Sequence, residues 1–208
     1  MKRIAIIPCF GLLLALTSNA QEVPRFTFGA SGGFTQAVGG SGRRLDMGWN
    51  AGAGGGVNFN SHLGALLEFQ YNDMGVNAAN LANLGFPGGS LKLWSLTVDP
   101  ILHLNPRGPV DVYLVGGGGL YHRTQEFTAP TVATVTGFDP YFGYYPVNVP
   151  ANQVLSSYTV NKPGVNGGIG VSFGTKWSAK VFAEARYHRM FIGDRHTDYL
   201  PVSFGIRF

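Results

Sequence analysis

Asp198-Tyr199-Leu200-Pro201-Val202-Ser203-Phe204-Gly205-Ile206-Arg207-Phe208 closes the chain, and its alternation decides the fold. Counting back from the end, Phe208, Ile206, Phe204, Val202 and Leu200 are apolar, while Arg207, Gly205, Ser203, Pro201 and Tyr199 are small, polar or amphipathic. Side chains on a strand alternate faces, so one face of this segment is a continuous hydrocarbon stripe. A soluble protein buries such a stripe under a second layer. A membrane barrel turns it outward to lipid and keeps small or polar residues inside.

The same alternation recurs upstream. Residues 25–35 set Phe26, Phe28, Ala30 and Phe34 against Thr27, Gly29, Ser31 and Gly33. Residues 47–59 set Trp49, Ala51, Ala53, Val57 and Phe59 against Asn50 and three glycines. Residues 63–71 set Leu63, Ala65, Leu67, Phe69 and Tyr71 against Glu68 and Gln70. Residues 92–104 follow, with Trp94, Leu96, Val98, Leu102 and Leu104 opposite Ser95, Thr97, Asp99 and His103. Pro100 falls inside this run, and its missing N–H predicts a bulge or a water-mediated repair. Residues 110–123 carry Gly116-Gly117-Gly118-Gly119 and leave the phase open: Val112, Leu114 and Leu120 favour even positions outward, while Tyr113 and Tyr121 suit interfacial girdles. Residues 165–173 and 180–189 alternate again, the second with Val181, Ala183, Ala185 and Tyr187 opposite Phe182, Glu184, Arg186 and His188. In this phase the charges avoid the bilayer centre, where one arginine costs about 2–4 kcal/mol.

Short turns at 60–62, 105–108 and 174–177 alternate with longer polar connections, at 38–44, 72–91, 124–158 and 193–196. The pattern predicts an all-β fold, an eight-stranded antiparallel up-and-down transmembrane β-barrel with both termini in the periplasm. Thirty-one glycines and 12% charged residues are unusual for a soluble domain but suit crowded strands in lipid. Mean hydropathy is +0.08, as expected when apolar outward and polar inward positions cancel.

Lys2 and Arg3, an apolar run over 4–16 and the small-x-small Ser18-Asn19-Ala20 have the layout of a secretory signal peptide over residues 1–20, leaving 21–208 as one barrel domain. Without Lys2 and Arg3 the 15 basic residues become 13 against 11 acidic ones, a net charge of +2. That is no nucleic-acid footprint. Cys9, the single cysteine, leaves with the signal, so the mature chain has neither disulfides nor thiolate metal sites.

The terminal strand, the alternation and the glycine-rich strands together resemble the small outer-membrane β-barrel family of Gram-negative bacteria, of the OmpA transmembrane-domain and OmpX type. The resemblance implies outer-membrane localisation, contact with outer-membrane lipid and lipopolysaccharide, and recognition by the barrel-assembly machinery. It makes Leu200, Val202, Phe204, Ile206 and Phe208 the assembly signal. Ending at Phe208, the chain lacks the peptidoglycan-binding domain of full-length OmpA relatives, which argues against a cell-wall tether.

Catalytic patterns are weak. Lipid A deacylases of this architecture carry His-x-Ser, and none of His62, His103, His122, His188 and His196 has a serine two residues on. His122 and His188 could share a metal only with a third ligand that the sequence does not name. Gly116 to Gly119 lack the helix and Lys-Ser/Thr of a phosphate loop, and close strand packing accounts for them. No cofactor is implied.

Two polar features remain. Glu68, Asp99, Glu184, Arg186 and Arg207 all point inward, into a lumen that side chains of eight strands just fill. They should form a closed network with cross-strand pairs, Arg186 joining Glu68 and Glu184, which makes the lumen a plug that Arg186→Ala would render leaky. The long connection 124–158 carries Phe138, Tyr141, Phe142, Tyr144 and Tyr145, either contacts for an extracellular ligand or residues that pack together and cap the barrel. Arg189, one step beyond Tyr187, is a candidate for lipopolysaccharide phosphate. The leading function is thus a non-catalytic outer-membrane barrel with a structural or surface-interaction role. A narrow diffusion pore and a lipid-modifying barrel enzyme are the alternatives. A lipocalin-like soluble barrel, with the apolar face inward, is the rival fold.

Overall fold

The computed structural model describes residues 25–174 and 179–208, so the segment read as a signal peptide and most of the turn at 174–177 lie outside the described residues. Eight strands close into one antiparallel barrel in chain order, β1 Phe26–Ala37, β2 Gly48–Asn58, β3 Leu63–Gly75, β4 Gly88–His103, β5 Val110–Asp139, β6 Gly143–Gly174, β7 Lys180–Ile192 and β8 Arg195–Arg207. Closure runs through β1 and β8, from Gly29↔Arg207 to Ala37↔Tyr199. The last residue seals it: Phe208 N–H donates to Phe28 O at 2.7 Å and Phe28 N–H to Phe208 O at 3.0 Å. No helix among the described residues is long and apolar enough to cross a membrane.

Each strand turns its apolar stripe outward. Phe28, Trp49, Leu67, Phe69, Leu96, Val98, Leu114, Ile169, Val181, Phe204 and Ile206 are exposed, while Asn50, Gln70, Asp99, Glu184 and Arg186 are buried. The soluble rival requires the reverse and fails. On β5 the even positions face out, which settles the phase that the sequence left open. Tyr113 and Tyr121 therefore do not join the girdles but fill the lumen, fully buried. The girdle at the long-connection end is built by Trp49 and Tyr71, 5.4 Å apart, and by Phe69 and Trp94, 6.1 Å apart.

Inward glycines give space to these large side chains. A Cβ on Gly170 would lie 2.2 Å from the Tyr113 ring, one on Gly168 2.8 Å from Arg186 Cγ, and one on Gly117 2.6 Å from Asp99 Oδ1. The Gly116 to Gly119 run thus lets β5 approach β4 closely and leaves room for Asp99.

Pro100 produces no bulge. The β4–β5 ladder runs to Val98↔Gly118, skips two rungs and resumes at Ile101↔Val115 in the same register. Pro201 opens an identical gap between Ala185↔Val202 and His188↔Tyr199. In both places the missing N–H is absorbed by local separation of the ladder, opposite Gly116 and Gly117 at Pro100 and opposite Arg186 and Tyr187 at Pro201.

The connections are more ordered than expected. Residues 38–44 hold one helical turn, α1 Gly39–Gly42, and the polar stretch after β3 holds α2 Ala78–Leu84. Asn77 caps α2 through Ala79 N–H, and Gly85 ends it at φ +73°. Gly88 and Gly89, read as part of a loop, already belong to β4. The polar loop at 193–196 shrinks to a two-residue turn, Gly193 (φ +60°) and Asp194, between Ile192 and Arg195.

The largest difference concerns residues 124–158, which are not an irregular loop. They continue β5 and β6 into an antiparallel ribbon paired from Thr124↔Thr159 to Asp139↔Gly143. One bulge interrupts it, where Leu155 lies between Phe127↔Ser156 and Thr128↔Val154. Thr131, Val132, Thr134, Val135 and Thr136 opposite Val147 and Val149 are β-branched and fit a pleated strand. Pro130, Pro146 and Pro150 stand at rungs Pro130↔Asn152, Thr136↔Pro146 and Val132↔Pro150, all of one parity. Alternate antiparallel rungs aim their N–H groups away from the partner, and there a proline costs the ladder nothing.

Candidate functional site

Two regions carry the chemistry, the lumen and the ribbon. In the lumen, β7 places Arg186, 2% exposed, where three strands can reach it. Its Nη2 donates to Glu68 Oε2 at 2.9 Å and its Nη1 to Asp99 Oδ2 at 2.9 Å, both across the barrel. Its Nε donates to Glu184 on its own strand. Cross-strand pairing was expected. The bond to Glu184 runs within β7 rather than across strands, because an arginine folding back along its strand spans the two-residue step. Asp99 also accepts from Asn166 Nδ2 at 2.7 Å and Thr97 Oγ1 at 2.6 Å. Arg207 stays outside the cluster of ion pairs. Its guanidinium stacks over the rings of Tyr113 at 5.2 Å and Phe182 at 4.7 Å. A neighbouring chain of neutral bonds links Gln70, Ser203, Asn50, Thr35 and Asn72.

Apolar layers bracket this network. Toward the short turns lie Leu66, Ile101, Tyr113 and Val115. Toward the long connections lie Ala37, Met74, Leu91, Leu93, Tyr121, Met190 and Tyr199, with Leu45, Val160 and Ile192 packed against them. His188 sits beneath this second layer, its Nδ1 3.1 Å from Tyr121 Oη and its ring stacked 4.9 Å from that of Tyr199. Sequence reasoning missed both layers. Inward leucines at 91 and 93 break the polar-inside expectation, and Leu91 lay in what read as loop. A cavity of about 20 Å³, lined in part by Ser31, Glu68 and Arg207, has room for about one water.

His122 and His188 do not meet. His122 faces outward, stacked on Trp94 at 4.8 Å, and His188 faces the lumen. Among the described residues no cluster of three His, Cys, Asp or Glu could hold a metal.

Arg189 does lie beyond Tyr187 on the outer face, but its guanidinium is engaged. Nε and Nη2 donate to Asp198 at 2.9 and 3.2 Å, and Nη2 also to Tyr187 Oη at 2.8 Å. Between β4 and β5, Lys92 pairs with Glu126 at 2.7 Å. The residues of the terminal strand take their places between β1 and β7: Val202 opposite Phe34 and Ala185, Phe204 opposite Gly32 and Ala183, Ile206 opposite Ala30 and Val181. Leu200 pairs with Gln36.

The loop aromatics sit at the far end of the ribbon. Each arm from Thr124 to Asp139 runs roughly 50 Å at 3.3 Å per residue. Around the turn Tyr141 is 92% exposed, Phe142 86% and Tyr144 78%, with Phe138 and Tyr145 also exposed. Phe138 and Tyr144 touch, ring centres 5.1 Å apart. The group therefore does not fold back to cap the barrel.

These features meet those of known barrels. The family model for the outer membrane protein beta-barrel domain matches residues 8–208. Among solved structures, Neisserial surface protein A superposes with a TM-score of 0.56 at 16% identity, over 88% of this chain and 95% of that one. A major outer membrane protein from Thermus thermophilus gives 0.55 at 11% identity, over 88% and 98%. Ail, the attachment invasion locus protein of Yersinia pestis, gives 0.49 at 18% identity, over 88% and 98%. At such identities the likeness is one of fold. No curated protein matches the chain. The chain belongs to the outer membrane protein beta-barrel domain family and resides in the bacterial outer membrane.

Proposed function

We propose that the protein is a non-catalytic surface-contact protein, in which a plugged barrel anchors an extracellular ribbon whose aromatic tip meets a ligand or a second surface. The observation that carries this reading is the exposure of Tyr141, Phe142 and Tyr144 at the end of two long paired arms. Between Glu126 and Asp139, and again from Gly143 to Tyr158, the ribbon carries no charge. Aromatic side chains held in water at a projecting tip are suited to anchoring in a partner's pocket or at a lipid interface. The lumen supports anchor over pore, because two apolar layers and a paired charge network occupy it. Buried charges in that arrangement hold the wall together.

The test uses cells displaying the full chain and a panel of beads coated with phospholipid, glycan or protein. Binding to at least one coating should fall to background in Tyr141→Ser/Phe142→Ser/Tyr144→Ser, with surface display unchanged. Equal binding of wild type and variant to every coating would overturn the reading.

A further inference from the structure

The ribbon has two free edges, and they are not alike. β4 pairs with β5 only as far as Gly88↔Thr128, and β7 pairs with β6 only as far as Gly164↔Met190. Beyond those rungs, residues 129–139 of β5 and 143–163 of β6 have no other strand beside them among the described residues. An open edge presents unpaired N–H and C=O groups, and proline is one of the devices that blunts it.

The prolines show which groups point outward. Pro130, Pro146 and Pro150 have no N–H and yet stand inside the ladder, so their rungs are those whose backbone groups face away from the hairpin. The outward rungs are therefore Pro130↔Asn152, Val132↔Pro150, Thr134↔Asn148, Thr136↔Pro146 and Phe138↔Tyr144. On the β6 edge the outward N–H groups of Tyr144, Asn148 and Asn152 are separated by Pro146 and Pro150. On the β5 edge, Val132, Thr134, Thr136 and Phe138 follow one another uninterrupted, and Pro130 blocks only the base. One edge is protected against strand addition and the other is open.

We propose that the open β5 edge pairs, antiparallel, with the same edge of a second copy of this chain anchored in a facing membrane. The sequence is self-complementary in one register. With Val135 on the two-fold axis, Thr134 meets Thr136 and Val132 meets Phe138, so that all four outward N–H groups of each copy find a carbonyl. Thr–Thr and aromatic–β-branched pairs are favourable cross-strand neighbours. No charge between Glu126 and Asp139 opposes the approach. Geometry selects the facing membrane. Ribbons rising from opposed surfaces run in opposite directions, whereas two copies in one membrane run parallel and pair less well. The product is a four-stranded sheet, and a two-stranded ribbon without a covering layer is marginal in water on its own. This is strand addition, with the edge supplying affinity through main-chain hydrogen bonds.

The inference rests on the ribbon being a contact organ, but it concerns the edge and not the tip. The test reconstitutes the full chain, ribbon outward, in two dye-labelled phospholipid vesicle populations and follows their clustering. Thr134→Pro removes an outward N–H and leaves the hairpin's main-chain bonds in place, and Asn148→Pro makes the same change on the protected edge; both lose the Thr134 Oγ1 to Asn148 Oδ1 bond, so that loss cancels in the comparison. Clusters that mix the two dyes should require protein in both populations, form at least about tenfold more slowly with Thr134→Pro and be unchanged with Asn148→Pro. In a Cys9→Ser background, Val135→Cys should oxidise to disulfide dimers that join the two populations, since directly opposed non-hydrogen-bonded positions are about 4.5 Å apart. Absence of clustering by folded, heat-modifiable wild type would overturn the proposal, as would equal slowing by both prolines. Mixed clusters of protein-bearing with protein-free vesicles would also overturn it and identify lipid as the occupant. The tip variant separates the two readings: it should lose bead binding and still cluster vesicles.

Discussion

Arg186→Ala tests the lumen most directly. The guanidinium makes three contacts with carboxylates, to Glu68, Asp99 and Glu184, and is 2% exposed. Hydrogen bonds to charged groups contribute about 1.5–3 kcal/mol each. The sum is not the cost, because water and neighbours relax around the variant. Removing one partner of a buried ion pair costs about 3–5 kcal/mol, and here three acids, two of them almost fully buried, lose their common cation. The expected loss is at the upper end of that range. The assay is urea unfolding from phospholipid vesicles, read by the shift between folded and unfolded bands in unheated gel samples. A second variant isolates electrostatics from packing. Arg186→Met combined with Glu68→Gln, Asp99→Asn and Glu184→Gln keeps the volumes and removes every charge, and it should recover most of the loss. A single-variant loss under about 1 kcal/mol, or a quadruple variant no more stable than Arg186→Ala, would refute the argument that the network is held by its charges. Conductance is a separate readout. Wild type should be silent in planar bilayers, and Arg186→Ala should be silent too, because Leu91, Leu93, Met74 and Met190 still close the outer end. On the sequence alone the variant is expected to leak, since the apolar layers are not legible there.

Three further outcomes follow from named contacts. Gly170→Ala should cost about 1–3 kcal/mol in the same unfolding assay, since its Cβ would lie 2.2 Å from the Tyr113 ring, and pairing it with Tyr113→Leu should restore part of the loss. Phe208→Ser should lower the heat-modifiable fraction in the outer membrane, and if the side chain is what the assembly machinery reads, the purified variant should still refold in detergent, because the two Phe28–Phe208 bonds are main-chain. Asp198 competes with any phosphate for Arg189, so Asp198→Ala should raise the lipopolysaccharide co-purified with the barrel, and adding Arg189→Ala should abolish the gain.

The strands were legible because a period of two survives averaging over few residues. Phe204, Ile206 and Phe208 at one end and Val181, Ala183 and Ala185 next to them leave one phase that keeps Glu184 and Arg186 out of lipid. Register was not legible, since it depends on the shear of the closed barrel. The meeting of Glu68, Asp99 and Arg186 from three strands therefore had to be seen. Tyr113 and Tyr121 were misleading for a related reason. A tyrosine suits a lipid interface and a packed lumen equally well, and only the glycines across the ladder, Gly170 and Gly164, mark these two as interior.

The ribbon was hidden by its prolines. Pro130, Pro140, Pro146 and Pro150 within 21 residues read as loop punctuation, because a proline in a central strand removes a ladder bond. In a hairpin that has left the barrel, every strand is an edge strand, and half its N–H groups have no ladder bond to lose. The test that separates the two cases is parity. Pro146 and Pro150 are an even number of residues apart, and Pro130 shares their rungs once the hairpin is folded about 141. Prolines scattered through a loop have no reason to respect that rule, whereas prolines confined to outward rungs must. Their parity therefore marks both a strand and the side on which it is closed to further pairing. On β5 the same count finds no proline between Val132 and Phe138, and there the edge stays open.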